Sequence, residues 1–96
     1  SKLILIPAPP GYQWLEADMD TEGDFVLFQG TVIAWAYQPK AGLVPLGQGE
    51  TPDEAAALDR ALIRPTGEVE FKGYVWRDEA SFLEARQRSV LAQRAA

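Results

Sequence analysis

The sequence predicts an α+β domain, a mainly antiparallel sheet of about five strands with two helices packed on one face, built by residues 1–96 as one unit. Three observations carry this. Short apolar or alternating runs separated by Gly and Pro turns recur between Leu3 and Trp76, as strands do. One strong helix start, Thr51-Pro52-Asp53-Glu54, interrupts them, and a stretch of helical period closes the chain after Asp78. Ninety-six residues with 47% hydrophobic content supply one core and no more.

Leu3 to Ile6 reads as a short buried strand, stopped by the stiff turn Pro7-Ala8-Pro9-Pro10-Gly11. From Tyr12 to Glu16 the chain alternates, with Tyr12 and Trp14 on one face and Gln13 and Leu15 on the other. Asp18 to Asp24 is an acidic loop pivoting on Gly23. Phe25 to Phe28 is apolar on both faces, the pattern of a central strand. Gln29-Gly30 is then a turn or a bulge, with a turn favoured because the alternative is an unusually long strand.

Between Thr31 and Tyr37 the large residues Ile33, Trp35 and Tyr37 face one side and Val32, Ala34 and Ala36 the other. The small side invites a helix, and the large side is expected to fill a core. After the turn Pro39-Lys40-Ala41-Gly42, Leu43 to Leu46 returns as a strand that Pro45 confines to an edge. Thr51 is an N-cap, Pro52 suits the first helical position, and Glu54 closes a capping box. That helix runs to about Ala61, or else Ala61-Leu62-Ile63-Arg64 forms a strand.

Pro65-Thr66-Gly67 is a turn, after which Val69 and Phe71 point inward and Glu68, Glu70 and Lys72 outward. The strand is expected to continue past Gly73 through Tyr74-Val75-Trp76. The last helix starts near Asp78 and reaches about Arg94, with a stripe of Phe82, Leu83, Val90 and Leu91 that Arg86 and Gln87 interrupt. Glu84 and Arg88 form an i,i+4 pair on it.

Composition excludes much chemistry. The chain has no Cys and no His, which removes thiolate nucleophiles, Cys/His metal centres and imidazole acid–base catalysis. Gly47-Gln48-Gly49 lacks the third Gly and the basic residue of a phosphate loop, and no other cofactor motif is present. Glu68 and Glu70 alternate with Val69 and Phe71, as the wet side of a strand does, so they do not read as a catalytic carboxylate pair. The expected protein is therefore not an enzyme and carries no cofactor.

No apolar run reaches the roughly 20 residues a membrane helix needs. A net charge of −5 opposes direct binding to nucleic acid. A cytoplasmic protein is expected.

Three features remain as candidates. Asp18, Asp20, Glu22 and Gly23 match the spacing of the first ligands in a calcium loop. Gln29, however, stands where that loop needs a bidentate Glu, and a strand follows where a helix should. The bland alternative is a solvated turn. Glu16, Asp18, Asp20, Glu22 and Asp24 have no basic residue among them, and Glu50, Asp53, Glu54 and Asp59 form a second acidic group. On a shared face these would steer a basic partner in; otherwise they are ordinary solubilising charge. Strict alternation exposes Tyr74 and Trp76 as interface anchors, whereas a bulge at Gly73 buries both.

Pro7-Ala8-Pro9-Pro10-Gly11, Val32-Ile33-Ala34-Trp35 and Ile63-Arg64-Pro65-Thr66-Gly67-Glu68-Val69 resemble segments of small phage and prophage accessory proteins, across about half of the chain. The resemblance implies a phage-borne modulator acting in the host cytoplasm, such as an inhibitor of a defence or nucleic-acid-handling protein, and transfers no site residues. The expected function is a non-catalytic protein-binding module offering an acidic surface to a basic partner. Asp18, Asp20, Glu22 and Asp24 are its contact residues and Tyr74 and Trp76 its anchors. The alternatives are a homo-oligomeric structural protein and a weak calcium loop at 18–29.

Overall fold

The computed structural model describes residues 4–95. It contains eight strands and two helices, in the order β1 (Leu5–Pro7), β2 (Gln13–Met19), β3 (Phe25–Thr31), β4 (Ala34–Gln38), β5 (Gly42–Leu46), α1 (Pro52–Ala56), β6 (Ala61–Ile63), β7 (Val69–Phe71), β8 (Tyr74–Trp76) and α2 (Glu79–Ala95). The α+β class and the two helices are as the sequence predicts. All pairings are antiparallel, and the strands divide between a three-stranded sheet, β1-β4-β5, and a five-stranded sheet, β3-β2-β6-β7-β8. Each helix covers a face of its own sheet: α1 lies on β4 and β5, and α2 crosses from β8 to β2.

The five-stranded sheet has the larger core. Leu15, Ala61, Val69 and Phe82 are buried together, with Ala17, Ile63, Phe71, Trp76 and Leu83 packed around them. The Phe82 ring meets Phe71 at 5.5 Å and Trp76 at 5.2 Å, both edge to face. In the smaller sheet Ala36, Val44 and Leu46 close on Ala55 of α1. The small side of β4 admits a helix, as its alanines predict.

Several segments differ from expectation, each for a local reason. β1 is an exposed edge strand rather than a buried one, because β4 pairs with it on one side only; Leu3 lies outside the described residues. β3 is an edge, not a central strand, because β6 takes the second side of β2. No turn forms at Gln29-Gly30. The strand runs through it, and Gly30 pairs with Trp14 where an added Cβ would lie 2.5 Å from the indole.

The chain passes to the other sheet at Val32-Ile33. There the Val32 N–H donates to the Tyr12 carbonyl and the Ile33 N–H to the Leu46 carbonyl. Helix α1 begins as predicted, with the Thr51 hydroxyl accepting from the Glu54 N–H, but it ends at Ala56, and the strand alternative holds at 61–63.

Lys72 and Gly73 both take positive φ, 50° and 84°, and make a two-residue hairpin where continuation of the strand is expected. Asp78 does open α2, accepting from the Ser81 N–H at 2.8 Å.

Pro45 sits on the open edge, as proline requires. The large side of β4, expected to fill a core, does not. Its positions share a face with Ile6, Leu43 and Pro45, opposite α1.

Candidate functional site

The β2–β3 hairpin gathers the predicted acidic residues. Strand β2 extends to Met19, so Asp18 belongs to the strand, opposite Val26, rather than to a loop. The remaining turn is held by Asp20. Its Oδ1 accepts from the backbone N–H of Glu22 at 2.9 Å and of Asp24 at 3.0 Å, while its own N–H donates to the Asp24 carbonyl. Gly23, at φ 92°, supplies the left-handed residue that closes the turn.

Asp20 is thus engaged inside the turn. Asp18, Glu22 and Asp24 are exposed. Gln29, the last position of the calcium pattern, hydrogen-bonds the Gln13 side chain far from the turn. Among the described residues no three carboxylates converge on a point that could hold a metal ion.

The last helix braces this hairpin. Arg94 donates from Nη1 to the Asp20 carbonyl at 2.7 Å and from Nη2 to the Met19 carbonyl at 3.0 Å, and Gln87 Nε2 donates to the Gly23 carbonyl at 3.1 Å. These polar contacts explain the interrupted apolar stripe of α2. Its first turns pack on the sheet through Phe82, and its distal part is positioned by hydrogen bonds.

The two acidic groups meet at Arg60, which takes one acid from each. Arg60 gathers two of the acids: its Nε donates to Glu16 at 2.9 Å, while Nη1 and Nη2 reach the two oxygens of Glu50 at 2.7 and 2.5 Å. The guanidinium stacks 3.9 Å from the centre of the Trp14 ring, and only 5% of the Arg60 side chain is exposed. Hydrogen bonding from Arg60 holds the Glu50 carboxyl below its ordinary range, against the opposing effect of burial, and Glu50 raises Arg60 in return.

Asp59 is likewise matched by Lys72 at 3.6 Å and Arg86 at 4.0 Å. Among the described residues Asp53 and Glu54 of the second group, like Asp18, Glu22 and Asp24 of the hairpin, form no ion pair, and Arg94 lies against the hairpin backbone. Sequence reasoning missed Arg60; its place beside Asp59, at the end of a presumed helix, gave no sign of a long-range partner.

Tyr74 and Trp76 lie at the other end of the sheet, on β8, and do not join the acids in one site. The hairpin at Lys72-Gly73 puts both on the inward side of Phe71 and Val69, the side the bulge alternative gives, though by a turn and not a bulge. Trp76 packs into the core against Phe82, whereas Tyr74 touches the Trp76 ring, 6.2 Å between ring centres, and is 72% exposed. A cleft of about 860 Å³ between the sheets is lined partly by Arg64, Glu70 and Lys72, and each of these charges has an opposite partner.

What stands beside the acids is the outer edge of β3. Val26, Leu27 and Phe28 are 48, 44 and 52% exposed on a strand whose second side is unpaired. The strand contains no Pro and no Lys, devices by which edges are usually guarded. An open edge offers backbone donors and acceptors along its length, and here they run beside Asp18 and end at Asp24. Comparison with known proteins finds no family model, no curated protein and no solved structure that matches the chain. Among the described residues no helix is long and apolar enough to cross a membrane.

Proposed function

We propose that this chain is a non-catalytic protein-binding module that accepts an extended basic segment of a partner along β3. The observation that supports the reading most is the open edge of β3, with Val26, Leu27 and Phe28 exposed next to the free carboxylates of Asp18, Glu22 and Asp24. Strand addition gives affinity through main-chain hydrogen bonds, and flanking charge selects the segment. Lys or Arg at either end of the added strand would meet the hairpin acids, while its apolar residues cover Phe28 and Val26. In the phage-accessory reading the partner is a basic host protein, of a defence or nucleic-acid-handling kind, whose working surface is occupied in the cytoplasm.

The test is an NMR titration of the labelled chain with an acetylated peptide of alternating Lys and Val. Amide shifts confined to residues 24–30, weakened by salt and lost in Asp18→Lys/Asp24→Lys, are expected. Shifts spread over all acids of the surface, or none at low salt, would overturn the reading.

A further inference from the structure

Given strand addition at β3, on which this rests, we infer that the accepted segment is read in one direction and one register. It is an antiparallel strand of the pattern apolar-x-apolar-x-basic, whose Lys or Arg, at its C-terminal end, lies beside Asp24.

The ladder of the β2–β3 hairpin decides which backbone groups are free. The Asp20 N–H donates to the Asp24 carbonyl at one end of it, and the Val32 N–H to the Tyr12 carbonyl at the other. Hydrogen-bonded pairs alternate along an antiparallel ladder. Between those ends Val26, Phe28 and Gly30, opposite Asp18, Glu16 and Trp14, therefore turn their N–H and C=O groups to β2. Phe25, Leu27 and Gln29 turn theirs to the open edge.

The side chains divide in the same alternation. Leu27 and Gln29 stand opposite Ala17 and Leu15, which pack with Phe82, so theirs is the side of the sheet that α2 covers. Val26 and Phe28 share the other side with Asp18, Glu16 and Trp14, and alternation adds Asp24 to it. An antiparallel strand bonded to Phe25, Leu27 and Gln29 meets Asp24, Val26 and Phe28 at its non-hydrogen-bonded positions, where facing side chains come closest.

That side is polarised along the strand. At its Gly30 end Arg60 lies on Trp14 and holds Glu16, while at the other end Asp18 and Asp24 are exposed. Phe25–Thr31 itself carries no charge. A base is thus drawn to the Asp24 end, and apolar residues fall against Val26 and Phe28. The positions between them fall on the α2 side, where Arg94 reaches the carbonyls of Met19 and Asp20. A slip of one residue carries the base from Asp24 toward Arg94.

The test is amide hydrogen exchange and NMR titration of the full chain with three capped peptides of one composition. They are Val-Thr-Val-Thr-Val-Thr-Lys, its reverse Lys-Thr-Val-Thr-Val-Thr-Val, and the slipped Val-Thr-Val-Thr-Val-Lys-Thr. In the free chain exchange should be fast at Phe25, Leu27 and Gln29 and slow at Val26 and Phe28, and the first peptide should slow the fast set. It should bind about fivefold more tightly than the other two, the size of one favourable cross-strand charge pair. Asp18→Asn/Asp24→Asn should erase that preference. No binding by any peptide overturns strand addition and this inference with it. Equal binding of all three, with Phe25, Leu27 and Gln29 protected, leaves strand addition standing and overturns the direction and register. So does a preference that survives Asp18→Asn/Asp24→Asn. Slow exchange at Phe25, Leu27 and Gln29 without peptide, quickened by dilution, would put a second copy on the edge and overturn both.

Discussion

Arg60 lies flat against Trp14, its guanidinium carbon 3.9 Å from the ring centre, and from there it binds Glu16 and Glu50 together. One cation so shared holds β2 to the loop before α1. Arg60→Ala leaves two carboxylates facing each other across an uncovered indole and should cost about 2–4 kcal/mol, the lower part of what breaking a buried pair costs because the Glu partners are partly solvated. Arg60→Lys should recover little of it, since an ammonium neither forks nor stacks. Urea denaturation followed by Trp fluorescence measures both.

Glu50 gives the fold a dependence on acid. Its folded carboxyl is held below 4.5, chiefly by Arg60, so the unfolded chain takes up the proton first as pH falls. The stability it contributes is present in full above about the unfolded value and is lost as pH drops through the folded one. Chemical denaturation between pH 7 and pH 3 should show stability falling below about pH 4.5, and Glu50→Gln should be weaker at pH 7 with a flatter profile. An unchanged slope in Glu50→Gln would assign the acid sensitivity to other carboxylates.

Gly30 is kept small by its neighbour. Its backbone needs no left-handed angle, so the constraint is the Trp14 ring, which a Cβ would meet at 2.5 Å. Gly30→Ala should cost about 1–3 kcal/mol by overpacking. The same substitution in a Trp14→Leu background should cost clearly less, and thermal melts of the four proteins give the coupling. Additive losses would place the strain elsewhere.

Tyr74 and Trp76 are neighbours with different work. Tyr74→Ala should change stability by no more than about 0.5 kcal/mol, as an exposed substitution does. Trp76→Ala removes a ring from the Phe82 cluster and should cost about 2–4 kcal/mol. If both prove neutral, the packing of α2 on β8 is not as described.

Much of this was legible in the chain because it was local. Thr51 before Pro52 and Glu54 marked a helix start, Asp78 marked another, and the alanines of β4 foretold a helix on that side. What stayed hidden depended on partners distant in sequence. The apolar run Phe25–Phe28 reads the same whether one neighbour or two pairs with it, and only the arrival of β6 beside β2 decides. Gln29-Gly30 resembles a turn until Trp14 is known to lie across from it. For the candidate site, the acids of the hairpin could be named from sequence. That Arg60 would remove Glu16 and Glu50 from the negative field could not, because Glu16 lies 44 positions from it.

The bend at Val32-Ile33 has a consequence for how the molecule can be divided. On either side of it the chain contributes strands to both sheets: β1 to one and β2 and β3 to the other before the bend, β4 and β5 and then β6 to β8 after it. A cut there yields two fragments, each missing the partner strands of its own pieces, so that neither has a sheet to complete alone. The two halves are interlocked like clasped hands, and Val32, buried with its N–H bonded to Tyr12, sits where they join.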